Sequence, residues 1–513
     1  MNSFSKLEYQ RETGVLITMV LGIVVFAGCN GAAKQAEYSQ PEHAREHSAP
    51  QLTALTKNPD SQQKIQDVAL HQERQVDQQK PENDSADKPQ PQNSQPDFSG
   101  KNPGALTLAQ LLAIATENNP EIAAARSKAA AQGWKFPQVT SLDDPIFNST
   151  VFLDAIETAG GSQDVIVSLS QKLPWFGKLK LRGEIANAQA EALWYEAERV
   201  RLKIIEQVRH SYYDYAYLAS ARDTLKRLEP TISSVIDTTR RKFRNEMNEK
   251  KRIGYETVLQ AEIELYRLRT QIAEIEETQK RVLARLKELI NSPEHQSLNL
   301  QVTQITGKIP ANLERLLALV DQCQPELLAR MWDSQRDAAA VSLAGKNYYP
   351  DFTIGANWYA IGNSGLSRVA NGDDAASLMF GINVPIYRQR LRAADSESRL
   401  KYFASRHQEE STANRFRADV AGFHADAVAS NQVLAILEEN IIKRARRSLD
   451  LSVQSWRQDR IEFQRLIDNY QNLIRFEIAI LERRRAVNKS LASLERAVGC
   501  ALESWPAAPA PAH

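Results

Sequence analysis

The chain has 513 residues, 42% of them hydrophobic and 25% charged, with 64 basic and 63 acidic residues. This length can bury a large core, and the balanced charge gives no basic footprint for nucleic acid, so no nucleic-acid partner is expected. A mean hydropathy of -0.45 also argues against a protein built mainly of membrane-spanning helices.

The chain begins with the pattern of an export signal. The apolar run Val15–Phe26 is shorter than the roughly 20 residues that a membrane span needs, and basic residues precede it. The sequence Phe26-Ala27-Gly28-Cys29 resembles a bacterial lipobox. We therefore expect residues 1–28 to be a lipoprotein signal peptide and Cys29 to carry a covalent lipid. A free Cys29 after an ordinary signal is the alternative.

Residues 29–104 are predicted to be a lipid-anchored disordered linker, and residues 501–513 a disordered tail. The linker is rich in Gln, Pro, Ser, Asp, Asn and Lys, and its only aromatic residues are Tyr38 and Phe98. Such a segment buries too little apolar surface to offset the entropy that ordering would remove.

Between these ends the sequence repeats itself about 205 residues apart, with prolines as landmarks. Asn119-Pro120-Glu121 recurs as Gln324-Pro325-Glu326, and Leu173-Pro174-Trp175-Phe176 recurs as Val384-Pro385-Ile386-Tyr387. We therefore expect two copies of one unit, residues 105–308 and 309–500.

Each copy reads as helices, a β-hairpin and two very long helices. Thr107 is placed to cap the first helix, and apolar and polar residues alternate over two hairpins at about 146–173 and 351–385. Coiled-coil spacing then follows, for example from Leu265 to Leu289. The predicted fold class is mainly α, with duplicated coiled-coil helices and four strands in a membrane β-barrel portion.

The hairpin strands have the length and alternation of strands in a membrane barrel. Four strands cannot close one, because the smallest membrane barrels have about eight, so closure needs more than one chain. The alternative is a pair of hairpins packed on a soluble helical body, which alternation by itself does not exclude.

The chain has three cysteines, Cys29, Cys323 and Cys500. With Cys29 lipidated, a single disulfide between Cys323 and Cys500 is the most that can form. That pairing stays open, but the sequence favours two unpaired buried thiols.

The motifs between Leu106 and Gly499 resemble the TolC-type outer-membrane efflux protein family, in its lipoprotein branch. The resemblance rests on the repeat and on three stretches, Leu106-Thr107-Leu108, Gln171-Lys172-Leu173-Pro174-Trp175-Phe176-Gly177-Lys178 and Leu494-Glu495-Arg496-Ala497-Val498-Gly499. It implies a homotrimer in which each subunit gives four strands to one twelve-stranded outer-membrane barrel and its helices to a periplasmic α-helical barrel.

The resemblance also implies particular junctions and partners. Strand would pass into helix at Pro174, Gly177 and Pro385, with the prolines starting the helices. A periplasmic adaptor and an inner-membrane RND-type pump would drive export, and the Pro-Trp-Phe-Gly-Lys form resembles members that work with heavy-metal cation pumps. Asn30 after the lipobox permits a lipid-anchored location in the outer membrane, extending into the periplasm.

The family narrows its channel at the periplasmic tip with acidic residues. Asp468 matches one of these positions, while Arg465 occupies the other, and Asp468 as a solvated surface carboxylate is the alternative. Arg465 could also pair with Asp468 one turn away. At the tip of the first repeat, the basic run Lys250-Lys251-Arg252 is a candidate adaptor contact or a solvated surface.

No catalytic chemistry is expected. The eight histidines are scattered, and H-E-x-x-H, C-x-x-C, G-x-S-x-G and Walker motifs are missing from the sequence. We expect no metal site and no cofactor beyond the lipid on Cys29. The leading hypothesis is a passive exit duct for heavy-metal cations or drugs, and the alternative is a periplasmic lipid-anchored coiled-coil scaffold or adaptor without a pore.

Substitution of the lipobox cysteine tests the lipid anchor. Cys29→Ala should abolish metabolic labelling by a fatty acid and leave the protein unprocessed or mislocalised, because the acylated thiol is gone. Ser39→Ala, a substitution in the predicted linker, is the control and should be labelled like the unchanged protein. Equal labelling of Cys29→Ala would contradict the prediction.

Overall fold

A computed structural model describes residues 105–158, 160–245, 254–292, 298–302, 306–363 and 372–502. All of them lie in the second of two compact units of the chain, Lys64–His513. The predicted signal peptide, Cys29, the linker, the basic run at 250–252 and residues 503–513 of the tail lie outside the described residues.

The described residues form ten α-helices and one short π-helix. In chain order they are α1 (Leu108–Asn118), α2 (Pro120–Gly133), α3 (Lys135–Thr140), α4 (Lys178–Asn245), α5 (Tyr255–Leu289), α6 (Leu313–Cys323), α7 (Pro325–Lys346), α8 (Arg388–Ile436), the π-helix (Leu437–Ile441), α9 (Ile442–Arg457) and α10 (Phe463–Val498).

Four strands form one antiparallel sheet in the order β1-β2-β3-β4. The strands are β1 (Ile146–Thr158), β2 (Gly161–Leu173), β3 (Phe352–Ile361) and β4 (Ala375–Ile382). The prediction of two hairpins in a mainly α fold is confirmed. The pairing of β2 with β3 also joins the hairpins of the two repeats into one sheet, which the sequence did not indicate.

The two copies share one order of elements and differ in detail. In the first copy α2 and α3 occupy the place of the single helix α7, and α4 runs through Pro230 over 68 residues. In the second copy the corresponding helix is interrupted by the π-helix. At 1.5 Å per residue, α4 is about 100 Å long, so contacts at its two ends are far apart.

The apolar faces of the long helices form the core. Leu268, Ile272, Leu286 and Leu289 are 2%, 7%, 0% and 3% exposed. These positions of α5 follow the coiled-coil spacing read from the sequence, and that spacing is confirmed. Thr107 caps α1 as expected, through a capping box with Gln110.

Asn119 begins α2 and also holds the end of α5. Its buried Oδ1 accepts hydrogen bonds from the N–H groups of Glu121 at 2.9 Å and Ile122 at 3.4 Å. Its Nδ2 donates to the carbonyl of Leu289 at 2.8 Å. The Asn119 carboxamide thus accepts from the free N–H groups at the start of α2 and donates to a free carbonyl at the end of α5.

Gln324 repeats this arrangement in the second copy. Its Oε1 accepts from the N–H of Glu326 at 3.3 Å, and its Nε2 donates to the carbonyls of Arg496 and Ala497 at 3.0 and 2.8 Å. The residue is 2% exposed. We call Asn119 and Gln324 the carboxamide clamps, because each joins the start of a repeat to its last long helix.

The expectation of unpaired thiols is wrong. Cys323 and Cys500 form a disulfide whose Cα atoms are 5.7 Å apart. The pairing follows from the neighbouring clamp, because Gln324 places the end of α10 against the end of α6. Gly499, with φ +87°, lies between them, and a Cβ there would be 2.5 Å from the carbonyl oxygen of Cys323.

Loss of the second clamp should destabilise the fold. Gln324→Met keeps most of the side-chain volume but leaves the buried carbonyls of Arg496 and Ala497 without their donor, which should cost about 2–4 kcal/mol in denaturant unfolding. Gln408→Met, at an exposed position of α8, is the control and should change the unfolding free energy by less than ~0.5 kcal/mol. Equal stability of the two variants would refute the clamp.

Candidate functional site

The sheet has two chemically different faces, which the strand register defines. Directly paired residues of antiparallel strands lie on the same face, and successive residues alternate between faces. One row crosses all four strands with apolar side chains only: Phe147, Leu169, Ala356 and Leu378. The adjacent row, on the other face, has polar side chains only: Asn148, Ser168, Asn357 and Ser377.

Within one chain the apolar face is uncovered. Phe147 is 66% exposed, Leu378 76% and Phe380 80%. On the polar face, by contrast, the amide of Asn357 donates to the hydroxyl of Ser377 at 3.1 Å. A continuous exposed apolar patch of this kind marks a surface that contacts lipid or another protein.

The helix-side end of the sheet is held by an ion pair between the two repeats. Asp351, directly before β3, accepts hydrogen bonds from Lys178 Nζ at 2.7 Å and from the Trp175 N–H at 2.9 Å. The ring of Trp175 stacks on Tyr349 at 5.1 Å. Because the side chains of Lys178 and Asp351 are only 5% and 12% exposed, Lys178 joins α4 to the second hairpin rather than facing solvent.

Pro174 and Pro385 lie between a strand and a helix, but neither starts the helix, which corrects the expectation. α4 begins at Lys178 and α8 begins at Arg388. In the first copy Gly177, with φ +86°, makes the turn that precedes α4. The prolines at a first helical position are instead Pro120 and Pro325.

At the opposite end of the long helices, Lys242 of α4 holds the turn between α9 and α10. Its Nζ donates to the carbonyl of Trp456 at 2.5 Å and pairs with Asp459. The ammonium also lies 4.6 Å from the ring centre of Trp456, which packs edge-on against Phe463. A cation of the first repeat thus fixes a turn of the second, a contact that no local sequence pattern indicates.

Asp468 lies near the start of α10, just after this turn, and is exposed. Its carboxylate accepts a hydrogen bond from Gln464 at 2.9 Å. Arg465 is exposed as well, and among the described residues it forms no ion pair with Asp468, which removes the pairing within one chain. The structure therefore leaves the Asp468 carboxylate open on the surface beside the Lys242 contact.

The comparisons with known proteins agree with this architecture. Residues 111–292 match the family described as outer membrane efflux protein. The match covers most of the first repeat. No curated protein matches the chain.

Solved structures show the same fold. The outer-membrane channel OprN has a TM-score of 0.66 at 14% identity, over 77% of this chain and 90% of that chain. VceC of Vibrio cholerae has a TM-score of 0.63 at 16% identity, over 77% and 96%. The open-state MtrE channel of Neisseria gonorrhoeae has a TM-score of 0.63 at 18% identity, over 77% and 89%.

A polar network between α4 and α10 contains a half-buried histidine, His210. His210 Nε2 lies 3.2 Å from the carbonyl of Lys489 and 3.2 Å from the hydroxyl of Ser493. Burial lowers the pKa of His210, against the opposing effect of Glu206, so the imidazole is neutral and donates to the carbonyl. Ser493 is buried and donates to Glu206 at 2.6 Å, which is a structural role in helix packing.

Among the described residues, no cluster of three or more His, Cys, Asp or Glu side chains could hold a metal ion. The chemically distinctive features of the described residues are thus the two-faced sheet, the Lys178–Asp351 junction and the Lys242 contact at the turn. The last two join residues that are distant in sequence, so neither appears as a motif.

Removal of the Lys242 ammonium should loosen the turn between α9 and α10. Lys242→Gln loses about 1–2 kcal/mol of local stability, so amide hydrogen exchange over residues 458–462 should accelerate about 5–30-fold. The matched control is Lys226→Gln, which removes an exposed ion pair between α4 and Glu276 of α5 and should change little. Equal exchange in the turn of both variants would show that Lys242 does not hold it.

Proposed function

We propose that this chain is the outer-membrane exit duct of a tripartite efflux system, a passive channel for substrates that an inner-membrane pump drives through a periplasmic adaptor. The two-faced sheet carries the proposal. Apolar residues on one face of all four strands suit contact with lipid, and hydroxyl and amide groups on the other face suit an aqueous passage.

The sheet has two edges, β1 and β4. An open edge in hydrocarbon would leave backbone N–H and carbonyl groups without partners, so the edges must pair with other copies of the chain. A homotrimer with four strands from each copy closes a barrel larger than the smallest membrane barrels, which have about eight strands.

Exposed apolar side chains on the helices support assembly as well. Ile263 and Tyr266 of α5 are 54% and 63% exposed, and Leu400 and Phe403 of α8 are 68% and 56% exposed. One described helical run, Arg388–Arg457, is long and apolar enough to cross a membrane by length and composition, which for a single helix is weak evidence of a span. Contact with neighbouring copies accounts for these side chains without a helical span.

A groove of about 540 Å³ lies between α5 and α10, with residues of α4 at its base. We assign this groove to adaptor binding. Its walls carry charges of both signs, including Glu264, Arg267 and Glu482. Such a lining favours a polar helical partner over a small apolar ligand. The basic run at 250–252 is proposed as a second adaptor contact, because the sequence places it at the tip of the first repeat.

The proposed location is the outer membrane, with a lipid on Cys29 as a second anchor, supported by the lipobox and by the apolar sheet face. A periplasmic scaffold without a pore would leave Leu378 and Phe380 in water, so the sheet favours the duct. The central polar row has no charged side chain and does not select between heavy-metal cations and drugs. Charge selection is therefore proposed for Asp468 at the turn.

Planar bilayers test the duct and its constriction together. The purified protein should run as a trimer in mild detergent and form cation-selective channels, because three Asp468 carboxylates near one axis attract cations. Asp468→Ala should alter conductance or lower the cation selectivity. Asp450→Ala, which removes an exposed carboxylate of α9, is the control and should conduct like the unchanged protein.

The outcomes separate the two claims. A monomer in detergent that forms no channels would overturn the duct itself. Channels whose conductance and selectivity are the same with and without the Asp468 carboxylate would leave the duct standing and make this residue an ordinary surface acid.

A further inference from the structure

The apolar face of the sheet ends, on the helix side, in exposed aromatic side chains. Phe176 follows β2 and is 79% exposed, and Tyr387 follows β4 and is 70% exposed. Ile386 beside Tyr387 is 65% exposed, so the apolar surface continues past the strand end. Aromatic rings at the border of an apolar band are typical of the boundary between lipid chains and head groups.

Directly after Tyr387, helix α8 begins with Arg388, Arg390 and Arg392, all of them exposed. Among the described residues none of these three arginines has an acidic partner within the distance of an ion pair, whereas Arg399, about two turns after Arg392, pairs with Asp395 at 2.8 Å. Arg388 lies over the ring of Tyr348 at 5.7 Å, a contact that keeps its charge. Three uncompensated guanidinium groups therefore stand at the edge of the apolar face.

The nearest acids of α8, Asp395 and Glu397, are paired with Arg399 and Lys401. The exposed acids that flank the strands at this end of the sheet are Asp143 and Asp144, which precede β1. β1 and β4 are the two edges of the sheet, so within one chain about three strand spacings, roughly 14 Å, separate them. That distance exceeds the screening length of about 8 Å at physiological salt. Within one chain these acids therefore do not pair with the arginines. In the proposed trimer, Asp143 and Asp144 of a neighbouring copy lie closer to them, because β1 of that copy pairs with β4.

We propose that Phe176, Tyr387, Arg388, Arg390 and Arg392 form a basic rim that binds the head groups of anionic phospholipids in the leaflet on the helix side of the membrane. Guanidinium groups bind phosphate through paired N–H donors, and the adjoining apolar face takes the acyl chains. This continuity with the apolar face favours a lipid phosphate over a free one. The inference rests on the proposed membrane insertion of the sheet.

Lipid co-purification tests the rim. The full-length protein is incubated in detergent with equal amounts of phosphatidylglycerol and phosphatidylethanolamine of matched chains, purified again, and its bound lipid is measured by mass spectrometry. The unchanged protein should enrich phosphatidylglycerol by about fivefold or more, since each surface arginine contributes about that factor at an anionic membrane. The triple variant Arg388→Gln, Arg390→Gln, Arg392→Gln should return the bound ratio to the input ratio.

Two comparison variants make the result specific. Lys443→Gln, Arg447→Gln, Arg483→Gln removes three exposed basic side chains of the helical body and should keep the enrichment. Arg→Lys at the three rim positions should keep most of it, because the charge remains. If the triple Gln variant does not assemble, Arg390→Gln with Arg392→Gln repeats the test and preserves the Arg388–Tyr348 contact.

The possible results decide between the explanations. Enrichment that survives the triple Gln variant, or that falls equally in the helical-body variant, overturns the rim. The trimer could also dissociate in the triple Gln variant while the bound lipid ratio stays the same. That result would show that the arginines contact a neighbouring copy, and it would also overturn the rim. If the protein forms channels in bilayers but shows no lipid preference, the lipid-binding rim is refuted and the duct is not. If it does not insert into bilayers, both proposals are refuted.

Discussion

Two buried carboxamides hold the parts of this structure together. Each long helix returns toward the sheet over about 50 Å, and its last carbonyls would be unsatisfied in the core without a donor. Asn119 and Gln324 supply that donor while capping the helix that leads into a hairpin. The position of α2 and α7, and through them the start of β1 and β3, therefore depends on where α5 and α10 end. The Cys323–Cys500 disulfide adds a covalent link at the second clamp only.

The two strand-to-helix junctions, at Pro174 and at Pro385, make different contacts although both copies have the same order of elements. In the first copy Lys178 is buried against Asp351 and joins the repeats at the base of the sheet. In the second copy the helix begins with exposed arginines instead. An ammonium withdrawn from water is tolerated only with a partner in close contact, which Asp351 provides. Since Asp351 already joins the repeats at this level through Lys178 and, at 3.9 Å, Lys172, the arginines of the second junction are not needed for that contact.

Sequence reasoning found the features that depend on local periodicity and missed those that depend on distant contacts. Alternation located the hairpins, and three-four spacing located the buried face of α5, because both patterns follow from the geometry of a single element. The clamps were visible as repeated Asn-Pro-Glu and Gln-Pro-Glu motifs, yet their hydrogen bonds to α5 and α10 were not. The thiol pair spans 177 residues, and the Lys178–Asp351 pair joins different repeats. The sequence does carry a signal of this pair, because Gln389 stands in the second copy where Lys178 stands in the first, and Ile146 in the first copy where Asp351 stands in the second.

The polar contacts between the helices also differ in strength from one end of the helices to the other. At the clamps, buried hydrogen bonds contribute about 1–3 kcal/mol each against loss of their partners, and the disulfide adds to them. At the turn between α9 and α10, Lys242 is 12% exposed. Its hydrogen bond to the Trp456 carbonyl, its contact with the Trp456 ring and its pairing with Asp459 together contribute about 1–2 kcal/mol. The polar contacts at the turn thus resist separation of the helices less than those at the second clamp, where the Cys323–Cys500 disulfide adds a covalent link.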